Sequence, residues 1–217
     1  MTALAPLVTA FFRQHLAVEK GVSKNTIASY SYAFKFLCGY VSGRLGKSPS
    51  QLALEDLDAP MTRDFLAHRE REGANTARTR NLRLTAIRSF MKYVEYEVPS
   101  ALEQVRRIRA ISNKRIEERL IHHLTKEEMR AILDAPDPTR RRVIRDQAML
   151  YLGFAAGLRV SELVGLRLDD IELEGPYPSI LVRGKGRRQR RLPLWKEATR
   201  ALRAWPSALT PASRRSS

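Results

Sequence analysis

The sequence lacks the features of a disulfide-bonded, zinc-binding or membrane-spanning protein. Cys38 is the only cysteine among 217 residues, which excludes an internal disulfide and leaves no thiolate cluster for zinc. No apolar run approaches the roughly 20 residues that a membrane-spanning helix needs. The first residues carry neither a basic leader nor a cleavage site for secretion. We therefore expect a cytoplasmic protein without membrane partner, metal, other cofactor or small-molecule substrate.

Acidic residues are also few relative to basic ones. The chain has 23 Asp and Glu against 39 Lys and Arg, which gives a net charge of +16 and a pI near 10.6. This balance is typical of proteins that bind nucleic acid, although ribosomal and membrane-surface proteins share it. The length is sufficient for two domains of ordinary size, each with its own core.

Apolar residues recur at helical spacing through the N-terminal part of the chain and predict four short helices. Gly21 is expected to end the first helix and Ser23 to cap the second. The third runs from Met61 to about Glu72. These helices predict a helical N-terminal domain over residues 1–98.

The fourth helix, capped by Asn75 or Thr76, combines apolar positions with many basic side chains. Its inward positions are predicted to be Leu82, Ile87, Phe90, Met91 and Val94. Its basic residues, which have no acidic neighbour before Glu95, are Arg78, Arg80, Arg83, Arg88 and Lys92. We predict that these basic residues form a face that binds DNA phosphates; the alternative is a charged face that contacts only solvent.

Residues 99–121 carry many charges and scattered apolar residues without a clear period, which predicts a linker. A second domain over residues 122–217 then opens with a helix, in which Thr125 and Glu128 form a capping box. A longer apolar helix follows and is expected to end at Gly157, because glycine tolerates the left-handed conformation of a helix C-terminus.

Arg159 follows that helix directly. Ser161 is expected to cap a short second helix, SELVGL, whose apolar side chains face the core. Arg159 would then be held between two packed helices. A guanidinium held in this way matches two oxygens of a phosphate. The alternative is a structural ion pair with Glu162 or Asp169.

The segment after Arg159 predicts a basic β-hairpin. Strands are expected from Pro178 to Val182 and from Arg190 to Leu194, with Gly184-Lys185-Gly186 as the turn. Six of the nine residues from Arg183 to Arg191 are basic and none is acidic. Because these charges repel one another, we expect a polyanion to bind here, the alternative being a solvated basic turn. The hairpin residues predicted to contact DNA are Arg183, Arg187, Arg188 and Arg190.

These residues resemble a known family. GLRVSELVGLRLDDI, followed by a strand and VRGKGRRQRRLPL, is similar to the first arginine box and the lysine hairpin of the tyrosine recombinases, the phage-integrase and Xer group. SKNTIASYSYAFKFL and NTARTRNLRLTAIRSFMKYV resemble the core-binding, SAM-like domain of the same family. The resemblance implies a mainly α fold with a small β-hairpin or sheet, in which a four-helix core-binding domain precedes the first part of the catalytic domain.

The resemblance also implies roles and partners. Arg159 would be the first catalytic arginine, Glu162 its supporting acid, and Lys185 the lysine that protonates the leaving 5′ oxygen. Double-stranded DNA would be the partner, together with other recombinase protomers, and the two domains would close around it.

The residues that complete cleavage in this family are missing after Lys185. The family needs a His-x-x-Arg box, a further His or Trp and a tyrosine nucleophile, whereas the chain beyond Lys185 contains no histidine and no tyrosine. His68 and Arg71 have the His-x-x-Arg spacing but belong to the N-terminal domain, and Tyr177 precedes the hairpin. We therefore expect a truncated site-specific recombinase that binds DNA and does not cleave it alone. The alternatives are a non-catalytic DNA-binding protein and a transcription regulator.

Overall fold

The computed structural model describes the chain except for residues 73–75, 118–122, 138–140, 185–187 and 210–217, and describes only the backbone at 141–142 and 206–209. The chain divides into two compact units, Met1–Arg119 and Leu120–Ser217. No helix of the described residues is long and apolar enough to cross a membrane.

The first unit is helical. Its α-helices are α1 (Leu4–Ala10), α2 (Lys24–Leu45), α3 (Ala59–Arg71), α4 (Ala77–Glu97) and α5 (Leu102–Arg109). A π-helical stretch, Phe11–Glu19, continues α1, and 3-10 turns lie at Pro49–Gln51, Leu54–Asp56 and Pro99–Ala101. The Ser23 side chain accepts a hydrogen bond from the Thr26 backbone N–H and caps α2, as predicted. Thr76 caps α4 in the same way.

Aromatic side chains form the centre of this unit. Phe11, Phe34 and Phe90 are buried, and their rings meet edge to face, with centroids 5.4 Å apart for Phe11 and Phe90 and 5.2 Å apart for Phe34 and Phe90. Such tilted aromatic contacts add stabilisation beyond the area they bury. Residues from the π-helical stretch, α2 and α4 are thereby fixed against one another.

The prediction of a linker over residues 99–121 is wrong for its first half. Helix α5 lies there and buries Val105 and Ile108 completely in the core of the first unit. The Gln104 side chain also donates hydrogen bonds to the Leu54 and Leu57 carbonyl oxygens at 2.7 and 2.9 Å. The helix is only eight residues long, so its apolar period was too short to detect in the sequence. The boundary between the two units falls within the second half of the predicted linker.

The second unit contains helices around a small sheet. Its helices are α6 (Lys126–Asp134), α7 (Arg141–Ala156), α8 (Val160–Val164) and α9 (Lys196–Leu209), with a 3-10 turn at Leu168–Asp170. The strands β1 (Ile171–Glu172), β2 (Ser179–Arg183) and β3 (Gln189–Pro193) form an antiparallel sheet in the order β1-β2-β3. The predicted hairpin is present as β2 and β3, and the prediction of a mainly α fold with a small sheet is confirmed.

The register of the hairpin decides which of its side chains face the core. Ile180 lies opposite Leu192, and Val182 lies opposite Arg190. Successive side chains of a strand alternate between the two faces, so these four share one face of the sheet. Ile180 and Val182 are fully buried against Leu152 of α7 and Leu202 of α9 in one apolar cluster. Arg190 therefore lies on the inward face of the sheet.

Candidate functional site

Arg159 lies at the N-terminus of α8. Helix α7 ends at Ala156, and Gly157 takes the predicted left-handed conformation with φ of 56°. The extended backbone of Arg159 precedes the helix, and its N–H donates to Glu162 Oε2 at 2.9 Å. The prediction that Ser161 caps this helix is wrong, because Ser161 lies inside α8 and the carboxylate of Glu162 accepts the terminal N–H instead.

The guanidinium of Arg159 is mostly open to solvent. Its side chain is 75% exposed, and its Nη1 donates a hydrogen bond of 3.1 Å to Glu162 Oε1. The prediction that packed helices enclose Arg159 is therefore wrong, since α8 has only five residues and its first turn lies at the surface. The ion pair with Glu162 is present, yet it occupies one edge of the guanidinium and leaves other donors accessible.

Glu162 is buried and bound mainly by a different arginine. Its side chain is 4% exposed, and Arg190 of β3 donates to both of its oxygens, from Nη1 to Oε1 at 2.9 Å and from Nη2 to Oε2 at 3.0 Å. The hydrogen bond from Arg190, followed by the one from the Arg159 backbone N–H, lowers the pKa of Glu162 to about 2. Two-pronged arginine–carboxylate pairs of this kind are strong and fix both partners in orientation.

The other strand arginines are paired in a similar way. Arg183 Nη2 lies 2.7 Å from Oδ1 of the buried Asp170, whose other oxygen accepts the Arg167 backbone N–H at 3.1 Å. Arg191 Nη1 contacts Glu172 at 2.6 Å. The prediction of an uncompensated basic hairpin is thus wrong for the strands, because carboxylates from the segment before the hairpin neutralise them. That pairing depends on the fold of the sheet and is not visible in the local sequence.

The turn of the hairpin is described only at its ends. The Gly184 N–H donates to the Arg188 carbonyl oxygen at 2.7 Å, and the Arg188 side chain is exposed. Lys185 and Arg187, predicted as a catalytic lysine and a DNA contact, lie outside the described residues. The DNA contact of Arg188 stays a prediction, and the exposure of its side chain is compatible with it.

The predicted basic face of α4 divides into exposed and buried side chains. Arg78 and Lys92 are exposed, whereas Arg80 and Arg83 are only 8% and 6% exposed. The prediction of an open phosphate-binding face is wrong for Arg80 and Arg83. Leu82, predicted to face inward, is instead exposed.

Arg80 is buried and Arg88 is half-buried, because the chain after α5 packs along α4. Arg80 Nη1 donates to the Ser112 carbonyl oxygen at 3.0 Å, and Arg88 donates to the Ile111 carbonyl oxygen and, at 3.1 Å, to Asn113 Oδ1. These guanidinium groups donate to backbone carbonyls, which need hydrogen-bond partners when they are shielded from water. Their role in the described structure is to hold this segment.

Arg83 has a different environment. Its guanidinium lies 5.2 Å from the centre of the Phe36 ring, and Arg69 of α3 lies 4.3 Å from the same ring. Burial, and then the charge of Arg69, lowers the pKa of Arg83. Attraction between a cation and an aromatic face offsets part of the cost of burying the charge. Sequence reasoning missed both Arg69 and Phe36, which come from separate helices.

No cluster in the described parts of the chain has three His, Cys, Asp or Glu side chains placed to hold a metal ion. His15 and His68 each contact a glutamate one helical turn further on, Glu19 at 2.7 Å and Glu72 at 3.2 Å. His68 therefore lies in the first unit and pairs along α3, in the helical setting that the sequence indicated.

Acid titration should reveal the buried carboxylate of Glu162. Its pKa in the folded chain, about 2, lies below its ordinary value of 4.5. A pKa that is lower in the folded state means that the ionised carboxylate stabilises the fold. This stabilisation is complete above about pH 4.5 and is lost as the pH falls toward 2. Glu162→Gln should therefore show a shallower loss of unfolding free energy between pH 4.5 and pH 2 than the parent.

Urea unfolding followed by tryptophan fluorescence measures this, because both tryptophans, Trp195 and Trp205, lie in the second unit. Glu172→Gln, at an exposed ion pair, is the matched control. Its unfolding free energy should fall with pH about as steeply as that of the parent, since solvent screens such pairs. Equal slopes for the parent and Glu162→Gln would contradict the prediction.

Comparison with known proteins covers both units. Residues 122–214 match the model of the phage integrase family, and residues 10–97 match that of the phage integrase N-terminal SAM-like domain. The chain is 41% identical over 203 residues to a putative integrase/recombinase of Sinorhizobium fredii, y4rC, with 94% of this chain and 61% of that protein covered. It is 40% identical over 201 residues to y4rD of the same organism, covering 93% and 72%.

A tyrosine recombinase XerC of Pelotomaculum thermopropionicum is 34% identical over 200 residues, which cover 92% of this chain and 63% of that protein. The chain thus spans about 61–72% of the length of these curated relatives.

Solved structures share the fold at low identity. The XerH site-specific recombinase, in a post-cleavage complex with palindromic difH substrate, has a TM-score of 0.64 at 22% identity, with 87% of this chain and 54% of that chain covered. A lambda integrase(75-356) dimer bound to a COC′ core site has a TM-score of 0.63 at 18% identity, covering 95% and 69%. The family matches, together with the relative covered over 72% of its length, confirm the resemblance seen in the sequence: this chain belongs to the phage integrase family of tyrosine recombinases.

Proposed function

We propose that this chain is the DNA-binding part of a site-specific recombinase, and that it holds double-stranded DNA but does not cut it alone. The observation that carries the proposal is the exposed Arg159 guanidinium, held on one edge by the buried Glu162. A planar cation fixed in this way presents its remaining N–H donors to the oxygens of a phosphate. The net charge of +16 favours the approach of a polyanion.

In this proposal the two units have different roles in binding DNA. Residues 1–98, extended by α5, form the core-binding domain, which contacts DNA through exposed side chains such as Arg78 and Lys92. Residues 122–217 form the first part of the catalytic domain. The chain between them, shorter than the predicted linker of 99–121, lets both engage one duplex.

The chemistry follows from what phosphoryl transfer requires, namely positioning and stabilisation of charge on the nonbridging oxygens. Arg159 binds those oxygens, and Glu162 supports Arg159. Lys185 is proposed to protonate the leaving 5′ oxygen. The strand cut also needs a nucleophile, and the family's tyrosine would form the covalent link to the 3′ phosphate. The chain after Lys185 has neither a tyrosine nor a histidine, so the proposed role of these 217 residues is binding without cutting.

Other protomers of a recombinase are proposed as further partners. Similar solved structures include a lambda integrase dimer bound to a COC′ core site and a lambda integrase tetramer bound to a Holliday junction. Membership in the family favours this reading over a helical transcription regulator, which would leave the hairpin beside Arg159 without a role.

Replacement of Arg159 tests the proposal. Arg159→Ala should weaken duplex binding roughly tenfold, the low end for a hydrogen bond to a charged group, because the side chain is largely solvated before DNA arrives. Fluorescence anisotropy with a labelled duplex at fixed salt measures the change. Arg200→Ala, which removes one exposed charge from α9, is the matched control. Equal affinity of Arg159→Ala and the parent would remove Arg159 from the DNA interface.

A further inference from the structure

We propose that Arg190 is a positioning residue, which occupies the carboxylate of Glu162 and thereby leaves the guanidinium of Arg159 available for a DNA phosphate. This inference rests on the proposed function, because it concerns how Arg159 is prepared for its ligand. It replaces the prediction that Arg190 itself contacts DNA.

The contacts show a carboxylate shared unequally by two arginines. Arg190 donates to both oxygens of Glu162, at 2.9 and 3.0 Å, in a fork-to-fork pair. Among the described residues, the Arg159 side chain makes one bond, from Nη1 to Oε1 at 3.1 Å, while its backbone N–H donates to Oε2. Because Arg190 pairs with both oxygens of the carboxylate, the Arg159 side chain contacts the carboxylate only at its edge.

The charges of the three groups explain why this matters. One carboxylate and two guanidinium groups sum to a single positive charge, and the two-pronged pair of Glu162 with Arg190 is close to neutral. The positive charge that remains is therefore carried mainly by Arg159, whose side chain is exposed. If Arg190 were absent, Arg159 would be the nearest cation to a buried anion. A guanidinium prefers two-pronged pairing with a carboxylate, so Arg159 would turn onto Glu162 and lose its free edge.

The same pair lies against the base of the hairpin. A Cβ atom built at Gly184 would lie 3.4 Å from Glu162 Oε1 and 3.6 Å from Arg190 Nη1. The residue at which the turn begins therefore lies close to the carboxylate that holds Arg159. Arg190, on the inward face of β3, fixes the distance between this end of the hairpin and the start of α8.

A double-mutant cycle separates this role from direct DNA contact. Arg159→Ala should weaken duplex binding roughly tenfold in the parent. It should weaken binding less than about twofold in the Arg190→Met background, where Arg159 is already turned onto Glu162. The double variant Glu162→Gln with Arg190→Met removes the competing negative charge, so Arg159→Ala should again cost roughly tenfold there.

Arg191→Met is the matched control, because it removes the neighbouring charge of the same strand, whose partner is the exposed Glu172. In this background the effect of Arg159→Ala should stay as in the parent. If Arg190→Met weakens binding but leaves the Arg159→Ala effect intact, Arg190 is a direct phosphate contact and the proposal is wrong. Should Arg190→Met fail to fold, judged by tryptophan fluorescence, Arg190→Lys serves instead. Lysine keeps the charge but cannot pair at two points, so the Arg159→Ala effect should still be smaller than in the parent.

A readout without DNA keeps this proposal distinguishable from the proposed function. Inorganic phosphate is titrated into protein labelled with nitrogen-15 arginine, and the side-chain resonance of Arg159 is followed by NMR. We expect a saturable shift in the parent, a smaller one in Arg190→Met, and recovery in Glu162→Gln with Arg190→Met. Failure of the parent to bind DNA would overturn the proposed function. Identical phosphate shifts in the parent and Arg190→Met would overturn the role of Arg190.

Discussion

Raising the salt concentration from about 50 to about 200 mM should weaken the binding of this chain to duplex DNA by roughly a thousandfold, as for a protein that neutralises about six phosphates. Each Lys or Arg that contacts a phosphate releases a condensed counterion, so the logarithm of the affinity falls linearly with the logarithm of the salt concentration. We expect exposed basic side chains, among them Arg78, Lys92 and Arg188, to make such contacts.

Single substitutions should then assign contacts to residues. Arg188→Ala at the hairpin should reduce the salt slope by about 0.9, the contribution of one phosphate contact. Arg107→Ala is the control, because Arg107 is also exposed but pairs with Glu103 on α5 and is not a predicted contact. Affinity is measured by anisotropy across a salt series for all three proteins. An unchanged slope for Arg188→Ala would remove the described part of the hairpin from the DNA interface.

Local sequence patterns were sufficient for most of the fold. Helix caps at Ser23 and Thr76, the left-handed Gly157 and the β2–β3 hairpin all depend on residues close together in the chain, and all were predicted. Among the elements that were not predicted, α9 has 14 residues, whereas α5 and β1 are short or depend on their neighbours. Helix α5 has too few turns to show its period, and β1 has two residues, which become a strand only by pairing with β2.

The basic side chains were harder to assign, because a charge in the sequence does not reveal its partner. Arg80 and Arg88 bind carbonyl oxygens more than 20 residues away in the chain. No pattern in the sequence of α4 indicates that the segment after α5 packs against it. A signal did exist for Arg190. It alternates with Leu192 on β3, so a strand whose inward face is apolar places a guanidinium next to the core, where a carboxylate partner offsets the cost of its partial burial. Glu162 is that carboxylate, and its spacing of three from Arg159 is that of a helix N-terminal capping interaction.

We expect this chain to form no covalent adduct with DNA. A suicide substrate, in which a nick next to the cleavage site traps any attached protein, should give no 3′-phosphotyrosyl adduct with this 217-residue chain. Of its seven tyrosines, five lie in the first unit, and the other two are Tyr151 and Tyr177, both before the hairpin. Tyr151 donates to Asp134 Oδ1 at 3.0 Å on the side of α7 that faces α6. Denaturing gel electrophoresis of the reaction, with binding verified on the same sample, measures the outcome.

Tyr177 decides whether that expectation holds, because its side chain is exposed in the segment between β1 and β2. A nucleophile must reach the scissile phosphate in line with the leaving oxygen, and the phosphate must at the same moment be held by more cationic groups than Arg159 alone supplies. Tyr177→Phe and Arg159→Ala are therefore tested beside the parent. If the parent forms a gel-stable adduct and both variants fail to form it, Tyr177 is the nucleophile and the proposal of binding without cutting is wrong. A sample that binds DNA and yields no adduct in all three proteins is the expected result, since the residues that complete phosphoryl transfer do not follow Lys185 in this chain.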